Sequence, residues 1–183
     1  MPEPPTRAGR PDTYVRLALP RDVAAVAGIQ ARSWQVAYAG VLTGMVLDSL
    51  EPKALATWQR AVEAPPTDAH HVLVALAADR VVGFAAVSPT EDGDGDPRWV
   101  GSLVALAVDT DTRRQGHGSR LLAAAVETMR TSRLTTANSW LPDSDSTLLA
   151  FLESAGWAAD GRTRDLDTGA GIVREVRLHT RLD

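Results

Sequence analysis

Apolar residues recur along this chain at two spacings, which together predict a fold that mixes strands and helices. Alternation with a period of two predicts strands over 14–19, 71–77, 81–88, 99–108, 134–140, 157–167 and 172–178. Spacings of three and four predict helices over 23–37, 45–50, 52–62, 119–129 and 146–155. This order of elements predicts an α/β (α+β) fold, with one central sheet and helices on both of its faces.

Turn and cap residues set the limits of several of these elements. Only residues 78–80 separate the second and third strands, so we expect an antiparallel hairpin there. Asp22 is expected to be the N-cap or a first-turn acid of the first helix. Asp143 and Asp145 are expected to cap the last helix, and Gly156 is expected to end it.

Length and composition limit the class of protein. A chain of 183 residues, 44% of them hydrophobic, corresponds to one domain with a sizeable core. We expect this domain over 14–183, after a frayed, proline-rich tail over 1–13 that has the pattern of neither a signal peptide nor a membrane span. The sequence has no cysteine, which excludes disulfides, thiolate metal sites and a cysteine nucleophile. Its net charge of -4 argues against a nucleic-acid binder with a broad basic surface.

The same composition suggests a source and a compartment. Lys53 is the one lysine among 19 basic residues, and alanine is abundant. Both biases are typical of a GC-rich bacterial coding sequence. Because no export signal is recognisable, we expect a cytoplasmic protein.

The candidate chemistry lies where the strand at 99–108 turns into the helix at 119–129. The connecting segment, residues 113–119, is basic and contains Gly116 and Gly118; we call it the cradle. Free N–H groups and the dipole of a helix N-terminus favour an anion. Arg113 and Arg114 add charge-assisted donors that suit phosphate. The cradle therefore predicts a pyrophosphate site.

Other interpretations of the cradle differ in how well they fit. It is not a Walker loop, because no Gly-Lys-Ser/Thr follows. It is a poor dinucleotide fingerprint, because no third glycine follows Gly118. A tight strand-to-helix turn with a solvated arginine pair is the alternative without a ligand. The side chain of His117 is expected to face solvent or a phosphate.

Three motifs in the chain resemble the GNAT superfamily of acyl-CoA-dependent N-acetyltransferases. The cradle, Arg113-x-x-Gly116-x-Gly118 after Val108-Asp109, resembles the superfamily's Arg/Gln-x-x-Gly-x-Gly/Ala signature. Residues 34–40 resemble the Trp-x-x-Ala-Tyr-x-Gly entry of one bacterial branch, and residues 151–157 resemble a Phe-Tyr-Glu-x-x-Gly-Phe/Trp stretch. The resemblance covers roughly residues 14–182.

This resemblance implies a mixed, mostly antiparallel sheet of about seven strands with a V-shaped split between the fourth and fifth. Acetyl-CoA, the implied cosubstrate, would lie in the split, with its pantetheine on main-chain groups and its pyrophosphate on the cradle. The implied cofactor-binding residues are Leu106, Val108, Arg113, Arg114, Gln115, Gly116, His117, Gly118, Ser119 and Asp145. No metal is implied.

The implied activity is direct transfer of an acetyl group to an amine, on a small molecule or a peptide, through a ternary complex. Relatives often carry glutamate and tyrosine as base and acid where this chain has Ser102 and Leu152, and asparagine where it has Asp145. The catalytic residues therefore stay unassigned. A non-catalytic acyl-CoA-binding or regulatory domain is the first alternative, and a nucleotide-phosphate binder is a weaker one. Many relatives are dimers, so a homodimer is a further expectation.

The acidic loop at 91–96 also invites a metal interpretation. Its acids alternate as in calcium loops, but Pro97 and Leu103 stand where that pattern needs glycine and glutamate. We expect a solvated loop here, with attraction of a cationic acceptor as the functional alternative. His70 and His71 are strand neighbours that point to opposite faces, which argues against a metal pair.

Overall fold

Strands and helices follow one another in the order that the apolar spacing predicts. The computed structural model describes residues 13–37, 50–167 and 171–182. Its strands are β1 (Thr13–Leu17), β2 (His71–Ala77), β3 (Arg80–Pro89), β4 (Val100–Val108), β5 (Thr136–Pro142), β6 (Ala158–Asp167) and β7 (Ile172–Arg181). Its helices are α1 (Val23–Ala37), α2 (Leu50–Glu63), α3 (His117–Thr131) and α4 (Ser146–Ser154). The tail at 1–12 and nearly all of the helix predicted over 45–50 lie outside the described residues.

The seven strands of the described residues form one sheet in the order β1-β2-β3-β4-β5-β7-β6. Every neighbouring pair is antiparallel except β4 and β5, which are parallel. The hairpin predicted around residues 78–80 is present as β2 and β3. The prediction of a mixed, mostly antiparallel sheet is therefore confirmed.

Helices cover both faces of the sheet, as predicted. On one face α3 and α4 bury a core that includes Leu121, Met129 and Leu152. On the other face α1 and α2 bury Val26 and Trp58 against a second set of strand residues, and Trp58 meets the ring of Phe84 edge-on at 5.0 Å. Burial of each such large apolar side chain stabilises the fold by roughly 1.5–3 kcal/mol. None of the helices in the described ranges combines the length and apolar character needed to cross a membrane.

Of the three acids expected at helix starts, Asp22 is confirmed as a first-turn acid and Asp145 as a cap. Asp22 lies in a 3-10 turn before α1, where its carboxylate accepts the Leu19 N–H at 2.7 Å. Asp145 is the N-cap of α4, and its Oδ1 accepts the Leu148 N–H at 3.0 Å. Asp143 lies two residues before that cap, so the expectation that it also caps α4 is wrong. Gly156 follows α4 at a φ of +89°, a conformation that glycine adopts without strain.

A β-bulge in β4 and a short β5 ladder open the sheet. Ala86 pairs with Ala105 while Val87 pairs with Leu103, so Val104 is an extra residue on β4. The parallel ladder between β4 and β5 has three residue pairs and ends at Ser102 and Asn138. Beyond this point the strands diverge, and the predicted V-shaped split is confirmed. We call the gap between 104–108 and 139–142 the cleft.

Candidate functional site

The cradle turns the chain sharply from β4 into α3. Gly116 is the N-cap of α3 at a φ of +81°, and Arg114 also has a positive φ of +63°. A side chain at Gly116 would be strained in this left-handed conformation. Its Cβ would also lie 3.1 Å from a terminal nitrogen of Arg120. The turn therefore depends on glycine for its conformation, whereas the exposed Arg120 side chain could move away from a new Cβ.

The N-terminus of α3 is exposed and basic. Its first helical hydrogen bond joins the Arg120 N–H to the Gly116 carbonyl at 3.1 Å. The amides of residues 117–119 precede this bond and have no helical carbonyl to bind. No acid occupies the first turn, and the side chains of Arg113 and Arg114 are exposed beside it. These amides and guanidinium groups form a surface that favours an anion.

The edge of β4 that borders the cleft has no strand partner beyond Ser102. The Asp109 N–H donates to the Val82 carbonyl at 2.8 Å, which fixes the alternation of the β3–β4 ladder. By that alternation the main-chain groups of Leu106 and Val108 point away from β3 and toward the cleft. Consistently, the Val108 carbonyl accepts a hydrogen bond from Nε of Arg113 at 3.3 Å. The two residues expected to bind pantetheine thus lie at the open edge, and that contact stays a prediction.

His117 differs from its expected placement. Its side chain is 2% exposed, so the expectation that it faces solvent is wrong. The reason is helical geometry, since His117 shares the inward side of α3 with the buried Leu121, one turn later. Neither ring nitrogen has a hydrogen-bond partner among the described residues. Burial and then the charge of Arg120 lower the pKa of His117 below its usual value.

Two cavities meet at the cleft. A large cavity of about 480 Å³ lies between α2 and the strands, and a small cavity of about 140 Å³ lies between α1 and the diverging strands. Val104, Trp140 and Glu175 line both. Asp145, an expected cofactor contact, borders the small cavity while capping α4. We call the place where Val104, Trp140 and Glu175 lie the junction of the cavities.

Ser102 lines the large cavity where the β4–β5 ladder ends. Its hydroxyl donates to Oδ1 of Asn138 at 2.6 Å, and Nδ2 of Asn138 donates to Oδ2 of Asp92 at 2.9 Å. Because its proton is committed to Asn138, Ser102 offers the cavity lone pairs only. Leu152, at the other departure from the superfamily pattern, is 0% exposed and belongs to the core under α3 and α4.

The acidic loop is bound to the sheet by a buried arginine. Arg177 on β7 is 8% exposed and donates to Asp92 at 3.1 Å, to Asp94 at 2.9 Å and to Asp160 at 2.7 Å. We call these four residues the Arg177 cluster. Trp140 adds a hydrogen bond from Nε1 to Asp92 at 3.0 Å. The expectation of a solvated loop is wrong for Asp92, which is half-buried and bound to the buried guanidinium. Asp94 pairs with Arg177 as well but stays exposed.

The pKa shifts agree with this pairing. The hydrogen bond to Asp94 raises the pKa of Arg177 above its usual value, against burial, and the bonds to Asp160 and Asp92 add to the rise. The bond from Arg177 lowers the pKa of Asp94. Burial opposes ionisation of Asp160, but the bond from Arg177 still lowers its pKa. The pairing therefore favours the charged forms of Arg177, Asp94 and Asp160.

Sequence reasoning missed four polar residues around the large cavity and the loop that covers it: Asn138, Trp140, Glu175 and Arg177. All four lie on one face of the sheet, since Trp140 pairs with Arg177 and Asn138 lies two residues before Trp140. The available signal was the alternation of Glu175 and Arg177 along the last predicted strand, continued by His179 just after it, which marks a polar face.

The interpretations of metal binding find no support in the described ranges. Within them no three His, Asp or Glu side chains come together in a way that could hold a metal ion. Nδ1 of His70 lies 2.8 Å from the Thr67 hydroxyl, and Asp96 pairs with Arg98 at 2.7 Å.

Solved structures of other proteins share the fold described above. The chain is similar to yncA of Salmonella typhimurium, solved with its cofactor acetyl-CoA, with a TM-score of 0.68 and 17% identity over 94% of this chain and 95% of that one. It is similar to the PaiA N-acetyltransferase of Thermoplasma acidophilum in complex with coenzyme A, with a TM-score of 0.65 and 18% identity over 90% and 98% of the two chains. A ribosomal-protein-alanine N-acetyltransferase of Brucella melitensis gives 0.68 and 21% over 91% and 98%. At these identities the likeness establishes the fold.

Sequence comparison supplies the family. No curated protein matches the chain. A profile of the acetyltransferase (GNAT) family matches residues 26–157, a stretch that contains most of α1, the cradle, the bulged β4 and the β5 strand that leaves it. Because this match covers more than half of the chain, the protein belongs to the acetyltransferase (GNAT) family.

Proposed function

We propose that this protein is an N-acetyltransferase that moves the acetyl group of acetyl-CoA directly onto an amine. The observation that carries the proposal is the cleft, whose free β4 edge runs from the basic cradle to the junction of the two cavities. Structures of similar fold that contain acetyl-CoA or coenzyme A support the cosubstrate. The alternation along β4 and the glycine conformation at the cradle fit a ligand that combines an amide chain with a pyrophosphate.

Each part of the site has a separate task in this proposal. Main-chain amides of residues 114–119 and the guanidinium groups of Arg113 and Arg114 hold the pyrophosphate. Main-chain groups of Leu106 and Val108 hold the pantetheine, and Asp145 borders its path. Acetyl-CoA supplies an activated thioester when bound. The large cavity receives the amine and holds it against the junction, where proximity contributes at best about 7 kcal/mol.

The absence of cysteine from the sequence is consistent with direct transfer. Without cysteine the protein has no thiol for a cysteine acyl-enzyme, whereas attack by a bound amine needs no protein nucleophile. Both substrates would then be bound at once, in the two cavities that share Trp140 and Glu175.

The test is release of free thiol from acetyl-CoA in the presence of spermidine, tyramine, an amino-acid amide or a peptide with a free N-terminus. We expect release with at least one amine, acetylated product by mass spectrometry, and protection of the protein by CoA against thermal unfolding. Absence of CoA protection would contradict the proposal at its cofactor step.

A non-catalytic acyl-CoA-binding domain is favoured by one observation. Leu152 is fully buried and Ser102 donates its proton to Asn138, so neither offers acid or base chemistry. This alternative predicts CoA protection with no thiol release on any amine. The two measurements together therefore separate an enzyme from a binder.

A further inference from the structure

Glu175 is a carboxylate at the junction of the two cavities. It lies on β7, is 6% exposed and lines both the large and the small cavity. Its position in the sheet is opposite Pro142 of β5, beyond the point where β5 leaves β4. The family's usual position for a base, at Ser102, carries no charge in this chain. Glu175 is thus an anionic group at the place where the proposed substrates meet.

The contacts of Glu175 leave part of its carboxylate available. Oε2 accepts a hydrogen bond from Nε of Arg164 at 2.6 Å, and Arg164 in turn lies over the ring of Trp140 at 4.4 Å. These contacts orient the carboxylate from the β6 side. Within the described residues, no hydrogen bond or ion pair to Oε1 is found. A carboxylate has acceptor capacity for several donors, so Oε1 can accept from an ammonium group.

Other acids near the cavities are less suited to this task. Asp92 already accepts from Asn138, Trp140 and Arg177, which occupies both of its oxygens. Glu91 is exposed and lines the large cavity only. Asp145 lines the small cavity only, where it caps α4. Glu175 is the acid among these that borders both sides of the junction.

We propose that Glu175 binds the amino group of the acceptor and receives the proton that this group loses before transfer. The assignment rests on the proposed N-acetyltransferase activity and deepens it. It makes the acceptor a primary or secondary amine that arrives as a cation, because only a protonated amine pairs with a buried carboxylate and needs a base.

The proton and bond changes balance as follows. The ammonium group of the acceptor gives one proton to Glu175, and its nitrogen then forms a bond to the thioester carbonyl carbon. The carbon–sulfur bond breaks, and the thiolate of CoA takes the second proton from the nitrogen. Glu175 returns its proton to solvent, so the products are an amide, free CoA thiol and one proton.

The test compares Glu175→Gln with two matched variants of the same hairpin. Glu175→Gln keeps the shape and removes the charge. Arg164→Gln breaks the same ion pair but keeps the carboxylate. Asp165→Asn breaks the neighbouring cross-strand ion pair, between Asp165 and Arg174 at 3.0 Å, on an exposed part of the hairpin. Thermal unfolding of each variant shows whether the hairpin is intact.

For Glu175→Gln we expect kcat to fall about 100-fold with the best of the four amine probes, a typical loss for a missing base. In calorimetry of the CoA-loaded protein we expect about 10-fold weaker binding of that amine, with unchanged affinity for CoA. Asp165→Asn is expected to match the wild type, and Arg164→Gln is expected to lose only a few-fold in kcat.

Equal losses in Glu175→Gln and Arg164→Gln would show that the ion pair has only a structural role and would overturn the assignment. So would wild-type kcat and amine affinity in Glu175→Gln. Absence of thiol release by the wild type on every amine would instead overturn the proposed function, and with it this assignment.

Discussion

The cradle and the Arg177 cluster lie on either side of the same cleft and are built in opposite ways. The cradle comes from seven consecutive residues, and its anion-binding groups are largely main-chain amides. The Arg177 cluster joins side chains from the loop after β3 and from β6 and β7, and Arg177 is 83 and 85 residues from Asp94 and Asp92. The cradle is therefore formed by residues that are neighbours in the sequence, whereas the Arg177 cluster forms only when the sheet is complete.

This difference explains where each region is sensitive to substitution. A main-chain site is disrupted when a new side chain changes the backbone or fills the space in front of it. A buried ionic cluster is disrupted when one partner is removed, because the remaining charges stay buried without compensation. A substitution in the cradle should therefore leave the Arg177 cluster intact, and a substitution in the cluster should leave the cradle intact. Variants of each region can test this.

The largest expected effect comes from Arg177→Met. Removal of the buried guanidinium takes the shared cation from Asp92 and Asp160 and leaves Asp94 paired with Arg162 alone, so we expect a loss of about 3 kcal/mol in the free energy of unfolding. For a chain of this size the melting temperature should fall by about 10 °C. Thermal and urea unfolding measure the loss, and CoA affinity of the folded protein should not change.

The control is Arg174→Met, which lies on the same strand but is exposed and should change the free energy of unfolding little. A large loss of CoA affinity in Arg177→Met would break the separation of the two regions.

The next effect comes from Gly116→Glu in the cradle. The new side chain places a negative charge beside the amides and strains a residue at a φ of +81°. We expect CoA affinity to fall about 100-fold, or roughly 2.7 kcal/mol, by calorimetry. Gly156→Glu adds the same charge at a φ of +89° with open space around it, and it should keep wild-type affinity. If both variants bind CoA like the wild type, the cradle does not hold the pyrophosphate.

The smallest expected effect is on the free energy of unfolding and concerns His117, the buried side chain of the cradle. Its pKa is lower in the folded than in the unfolded protein, so the unfolded state binds a proton first as the pH falls. Stability should therefore decrease as the pH drops below about 6.5, until the folded state is protonated as well. His117→Leu should remove this part of the pH dependence and stabilise the protein by about 1 kcal/mol at pH 7, since it deletes two unpartnered nitrogens. Urea unfolding between pH 5 and 8 measures both. If the free energy of unfolding of His117→Leu depends on pH as in the wild type, a group other than His117 causes that dependence.

Features encoded by neighbouring residues were predictable from the sequence. The hairpin of β2 and β3, the order of elements and the end of α4 at Gly156 follow from period, turn residues and caps within a few positions. The glycine turn of the cradle belongs to the same class. Each of these depends on interactions that span only a few residues, so one sequence contains the information.

Features that depend on register or on distant pairing were not predictable. The bulge at Val104 follows from the alignment of β3 with β4, which one residue more or less would change. The role of Asp92 depends on Arg177, and the burial of His117 depends on how α3 is rotated against the sheet. A solvated Asp92 and an exposed imidazole were reasonable local expectations, and tertiary packing overrode both.

The separation of β4 from β5 gives the sheet a third edge, inside the fold. β1 and β6 form its outer edges, where exposed main-chain groups are a general hazard for association with other strands. The interior edge also lacks a neighbouring strand beyond Ser102, but it lies along the small cavity and between two strands of its own sheet. Its natural occupant is a narrow chain with amides of its own, which can add to the sheet as a strand would.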